Sequence, residues 1–197
     1  MLKKIILDGQ ISYLMLLKKV LFWLALILPL YIFVEPREFS EFGETGWNIL
    51  IAVLLIRPLA DIFPDLKILR TFSMLRKEFG IFAALLLIAH FVGFLMMREI
   101  SIWDGLTNPE NWDTAACGWG LIGLIFVIPV LLTSNKFSMI LLKRKWKYVQ
   151  HFTYLFFIFG GIHLTLIGEG GYVPIIIVAT LWLLAKFGFK IKIPQIQ

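Results

Sequence analysis

The chain is poor in the residues that most often hold metals and in those that build a soluble surface. It has one cysteine, three histidines and only 16% charged residues in a length of 197. One cysteine excludes a disulfide within the chain and any iron–sulfur cluster held by its own thiolates alone, and Cys117 itself reads as a small apolar residue at a helix start. So little charge, beside 59% hydrophobic residues and a mean hydropathy of +0.85, excludes a soluble domain of ordinary composition and points to a polytopic membrane protein. No strand-turn-helix unit carrying G-x-G-x-x-G and no G-x-x-x-x-G-K-[ST] loop is present, so no stretch reads as a nucleotide-binding unit. Electrons or ligands must then come from a separate partner or from the lipid phase. A net charge of +6 does not argue for nucleic acid, because the basic residues recur in short clusters between apolar runs instead of forming one patch.

Those clusters set the expected topology. Residues 1–19 place Lys3, Lys4, Lys18 and Lys19 around Ile5, Ile6, Leu7, Ile11, Leu14 and Leu17, the pattern of an amphipathic start lying at the cytoplasmic surface. No small-x-small cleavage site follows, so this start is expected to stay attached. Spans are expected at about 20–34, 47–59 or 63, 81–97, 119–132, 146–169 and 173–187, and Glu35-Pro36 closes the first. Of 19 Lys and Arg residues, 17 fall on the side of both termini, leaving Arg37 and Arg98 on the other. The expected fold is therefore all-α: a six-helix transmembrane bundle over 20–187 with both termini cytoplasmic and a cytoplasmic tail at 188–197. Glu35, Glu38, Glu41 and Glu44 make the first outer loop acidic, and Trp103 and Trp112 in the second suit an interfacial belt. Arg57 reads as a side chain that snorkels to the interface or points inward.

An imidazole in hydrocarbon is costly unless it has a partner, which makes each intramembrane histidine a candidate functional residue. His90 lies 8 residues before Arg98 and His163 lies 6 before Glu169, so at ~1.5 Å per residue the two sit at matching depth in the outer half. His151 is 12 residues before His163 and falls ~18 Å lower. Paired imidazoles on two helices suit the axial ligation of a haem iron. The alternatives are hydrogen bonds to neighbouring helices or zinc, whose tetrahedral shell two histidines alone leave incomplete. Ala83, Ala84, Ala89, Gly93, Gly160 and Gly161 either make room for a planar macrocycle or simply let the helices pack closely. A 12-residue step turns a side chain by about 120°, so His151 and His163 share one interior only if their helix tilts or kinks, or if two cofactors lie on different sides of it.

LLIRPLAD (54–61), LRKEFGIFAALLLIAH (75–90), LLTS (131–134) and KWKYVQHFTYLFFIFGGIH (145–163) together resemble the ferric-reductase-like transmembrane domain. Within it the chain is similar to the YedZ/MsrQ family, the haem-binding membrane subunit of the periplasmic methionine sulfoxide reductase system. The resemblance implies b-type haem with His90 and His163 as axial ligands. A second haem and an FMN are further cofactors it leaves open. It also implies a bacterial inner-membrane electron carrier, supplied by the quinone pool or a flavin reductase, that delivers electrons to a periplasmic molybdenum-containing reductase. In the family pattern a histidine stands four residues after the tryptophan; here Gln150 stands there after Trp146, and His151 comes one later. A one-residue shift turns the side chain by ~100° unless a local bulge restores its direction. Arg76, 14 residues before His90, stands where related two-haem oxidases carry a further histidine, and is either a propionate or inner-cofactor contact or an ordinary positive-inside residue. The acidic outer loops either dock a basic partner or only balance topology. The remaining functional alternatives are a stand-alone ferric or quinone oxidoreductase of the same fold, and a non-enzymatic membrane module with structural histidines.

Overall fold

A backbone that crosses hydrocarbon must satisfy its own polar groups, and here each apolar run does so as a helix. The computed structural model describes residues 13–111 and 115–191, and among these all regular structure is helical. The readings that fall on residues 1–12, on Trp112 and on 192–197 lie outside the described residues.

Helix α1, Leu14–Ile27, tightens into a 3₁₀ segment over Leu28–Phe33, where Pro29 withholds the N–H that an α-helical turn needs. After a 3₁₀ turn at Pro36–Glu38 the chain enters α2, Phe39–Ile62. The short α3, Lys67–Ser73, leads to α4, Arg76–Met97. In α5, Ile102–Thr107, the Ser101 hydroxyl accepts the Asp104 backbone N–H at 3.0 Å as an N-cap. Helix α6, Ala115–Thr133, is followed by three pieces: α7, Lys136–Leu142; α8, Arg144–Gln150; and α9, Phe152–Leu166. Helix α10 is Tyr172–Lys186.

Five of the described helical stretches are long and apolar enough to cross a membrane: Leu14–Phe33, Pro36–Ile62, Arg76–Met97, Ala116–Thr133 and Arg144–Leu166. The protein is thus a multi-pass, all-helical membrane protein. The apolar α10 has 15 residues, ~22 Å at 1.5 Å per residue, against a ~30 Å hydrocarbon core. The second span begins earlier than hydropathy suggests: Glu41 and Glu44 belong to the first two turns of α2 and not to a loop. Acidic side chains there face the positive end of the helix dipole, which favours helix over coil.

Two antiparallel pairs form the body of the bundle, α2 with α4 and α6 with α9, while α1 packs on α4 and α10 on α2. The pairs meet through a buried cluster that includes Trp47 and Leu50 of α2, Leu121 and Leu124 of α6, and Phe156 and Phe157 of α9. Trp47 stacks on Phe157 with ring centroids 4.9 Å apart and planes 19° apart. Gly160 makes this possible, since a Cβ there would stand 2.9 Å from Trp47 Cζ3. One end of the bundle carries the glutamates of the first turns of α2, and the other carries the basic clusters around α3, α7 and α8.

Candidate functional site

His90 of α4 and His163 of α9 line one cavity of about 500 Å³ toward the acidic end. Pockets of ~300–1,000 Å³ are the size that holds a cofactor or small ligand. Phe91, Phe94, Trp47 and Phe156 give the cavity aromatic walls, and Ser40, Glu44 and Asn48 run down it as a polar stripe spaced four apart on α2. The matched depth read from the sequence is matched here by a shared space.

Each ring is held by a backbone carbonyl. His90 Nδ1 lies 2.7 Å from Phe39 O, in the first turn of α2. His163 Nδ1 lies 2.7 Å from Ala116 O, in the first turn of α6. A carbonyl only accepts, so in both rings Nδ1 is the donor, and in the Nδ1–H tautomer of imidazole the lone pair lies on Nε2. A second partner on the far nitrogen is the arrangement that orients a metal-ligating histidine and raises its basicity. No group of three or more His, Cys, Asp or Glu capable of holding a bare metal ion occurs among the described residues. Two imidazoles on different helices, lone pairs on Nε2 and an aromatic-walled cavity therefore suit a planar group ligated from its two faces, and the residues fit a haem better than zinc.

The other sequence candidates lie elsewhere. His151 is exposed at the turn between α8 and α9, its ring 6.1 Å from that of Tyr154. The turn does interrupt the helix at His151 but leaves the side chain outside the cavity. Gln150 takes the inward direction instead: its Nε2 donates to Thr133 Oγ1 at 3.1 Å, and Trp146 Nε1 donates to Thr133 O at 2.8 Å, tying α8 to the end of α6. Arg76 opens α4 at the basic end, ~21 Å along the helix from His90 at 1.5 Å per residue, and its buried Nε has no hydrogen-bond partner among the described residues. Arg57 pairs with Asp61 at 3.0 Å on the surface, which resolves its reading in favour of an exposed side chain.

Of the small residues near the histidines, most serve helix contact. Ala83, Ala84 and Ala89 are buried. A Cβ on Gly93 would meet Ile32 at 2.6 Å, and one on Gly161 would run into Ile175. Gly160 lines the cavity while accommodating Trp47. Sequence reasoning missed Gly43 and Gly120, which lie under the two histidine rings, and also the stripe of Ser40, Glu44 and Asn48. The four-residue spacing of that stripe inside an apolar helix was the available signal. The letters G-x-G-x-x-G do occur at 118–123, but they fall within α6 and follow no strand, so they carry no phosphate-binding turn.

The model of the family described as "Ferric reductase like transmembrane component" matches residues 42–161. That range includes His90 and stops two residues short of His163. A protein of Agrobacterium fabrum named protein-methionine-sulfoxide reductase heme-binding subunit MsrQ is 27% identical over 145 residues, which are 73% of this chain and 64% of that relative. The chain thus spans under two-thirds of the relative's length. No solved structure matches.

Proposed function

The chain belongs to the ferric reductase like transmembrane component family, and from that premise we propose that it is a haem b-binding membrane electron-transfer subunit with His90 and His163 as the axial ligands. The observation that carries this reading is that His90 and His163, on different helices, line one cavity while each ring is held through Nδ1 by a backbone carbonyl, which leaves Nε2 as the nitrogen free to act as a ligand. When bound, a haem supplies one-electron chemistry at its iron. The chain's own residues hold the ligands in a fixed tautomer, and Trp47, Phe91, Phe94 and Phe156 line the space with apolar surface that limits water.

Like the relative named for methionine sulfoxide reductase, the chain would serve a separate catalytic subunit. In this reading it sits in the bacterial inner membrane with six spans over 20–187 and both termini cytoplasmic. Electrons enter from the quinone pool or a cytoplasmic flavin reductase and leave at the acidic end to a periplasmic molybdenum-containing reductase. One haem lies near that end, and His151, exposed and one residue out of the family's register, is not among its ligands.

The test is the absorption spectrum of the purified chain, oxidised and dithionite-reduced, after expression with ample haem. A Soret band that shifts on reduction, with split low-spin bands and about one haem per chain, is expected. A chain without a Soret band removes the reading; two haems per chain would restore an inner site. The direction of electron flow is checked separately by mixing the reduced subunit with a purified molybdenum-containing methionine sulfoxide reductase, where haem reoxidation upon adding methionine sulfoxide is the expected outcome.

A further inference from the structure

The two histidine anchors share a construction that reaches beyond ligand identity. In an α-helix the carbonyl of residue i already accepts the N–H of residue i+4 but keeps a second lone pair. Reaching that lone pair from the side is difficult, because each Cα–Cβ bond tilts toward the helix N-terminus and residue i+4 covers the turn that holds the carbonyl. Phe39 and Ala116 are the accepting residues, and four positions later stand Gly43 and Gly120. A Cβ on Gly43 would lie 2.6 Å from His90 Nδ1 and 3.0 Å from its Cε1. A Cβ on Gly120 would lie 3.1 Å from His163 Nδ1 and 3.3 Å from its Cγ. In both cases the first atom met is the nitrogen that makes the hydrogen bond.

We propose that Gly43 and Gly120 are positioning residues: by leaving one side chain off the helix surface, each lets an imidazole reach the carbonyl one turn back. The inference rests on the reading of His90 and His163 as haem ligands. Other glycines in the same helices are explained differently. Gly46, one turn deeper in α2, would meet Leu87 Cγ at 2.8 Å and the Ala83 carbonyl at 3.2 Å, so it serves the same α2–α4 contact without touching a histidine. Gly123 in α6 meets Phe156 at 3.4 Å, an ordinary contact.

An added methyl at Gly43 pushes the His90 ring away from Phe39 O and lengthens or breaks the Nδ1–H bond. The ligand then loses basicity and its fixed orientation. A less basic imidazole favours ferric iron less, so the midpoint potential rises, and haem affinity falls by ~10-fold, as when other outer partners of metal ligands are lost. At Gly120 the overlap is smaller, and the same changes occur in weaker form.

The experiment compares Gly43→Ala, Gly120→Ala and Gly46→Ala in the full chain, each reconstituted with haem in detergent. The readouts are the electron paramagnetic resonance spectrum, the haem affinity and the midpoint potential. Gly43→Ala is expected to convert low-spin to high-spin signal and raise the potential. Gly120→Ala is expected to stay low-spin with a smaller rise. Gly46→Ala should unfold more easily yet keep the wild-type spectrum and potential. The inference is overturned by Gly43→Ala and Gly120→Ala both matching wild type, or by Gly46→Ala reproducing the spectral change of Gly43→Ala. Should Gly43→Ala fail to accumulate, Gly120→Ala decides alone, with a wild-type potential counting against. A wild-type chain without a Soret band removes the haem reading and this inference with it, whereas a haem-loaded wild type with unaltered glycine variants removes only this one.

Discussion

The α2–α4 pair and the α6–α9 pair solve one problem with different tightness. Both hang a histidine on a first-turn carbonyl of the partner helix at 2.7 Å. His90 sits seven residues before its helix ends at Met97, and its ring lies 5.5 Å from that of Phe39, whose own carbonyl it uses. His163 sits three residues before its helix ends at Leu166, next to a turn in which Gly168 and Gly170 have positive φ. Such a turn needs glycine, because a Cβ is strained in that region. Helix ends fray more readily than interiors, so the α4 anchor is the more rigid of the two and the α9 anchor the more adaptable. A shared ligand held by one stiff and one compliant arm tolerates small changes on the second side better than on the first.

The comparison is tested most severely at the ligands. His90→Ala and His163→Ala are each expected to abolish the low-spin spectrum, since one imidazole cannot supply two axial positions; a full low-spin spectrum in either variant breaks the pairing. Next comes the joint between the pairs. Trp47→Ala removes a buried ring stacked on Phe157 and should cost about 3–5 kcal/mol in reversible unfolding in detergent, as for other core aromatics. A loss below ~1 kcal/mol would mean that the two pairs are joined by other contacts. Gln150→Ala removes the Thr133 bond and is expected to cost about 1 kcal/mol while leaving the haem spectrum intact. His151→Ala should leave the spectrum, the haem content and the stability unchanged, and any drop in haem content would bring His151 back as a ligand. Arg57→Ala is expected to have a similarly small effect, because the Arg57–Asp61 pair has side chains 69% and 48% exposed and such pairs contribute about 0–1 kcal/mol.

Much of this architecture was legible from hydropathy and charge. Runs such as 119–132, and 81–97 apart from His90, are apolar, and a buried backbone without water has few choices but helix. Span starts were less legible, because the first turns of α2 carry glutamates that hydropathy reads as loop while the helix dipole welcomes them. The histidine pair was legible from residue counting along two helices. The direction of His151 was not legible: its one-residue displacement left it inward or outward, and only the turn between α8 and α9 shows the side chain exposed.

The sequence alone determined an all-helical, multi-pass protein with histidines at matched depth, because rise per residue and hydrophobic run length are local properties that do not depend on which helices touch. Tertiary structure decided what those histidines hold on to. Hydrogen bonds from His90 to Phe39 and from His163 to Ala116 join residues 51 and 47 positions apart. The two glycines beneath the rings acquire their meaning only when a particular neighbour is laid against a particular carbonyl, because a missing side chain has no signature until another helix fills its place.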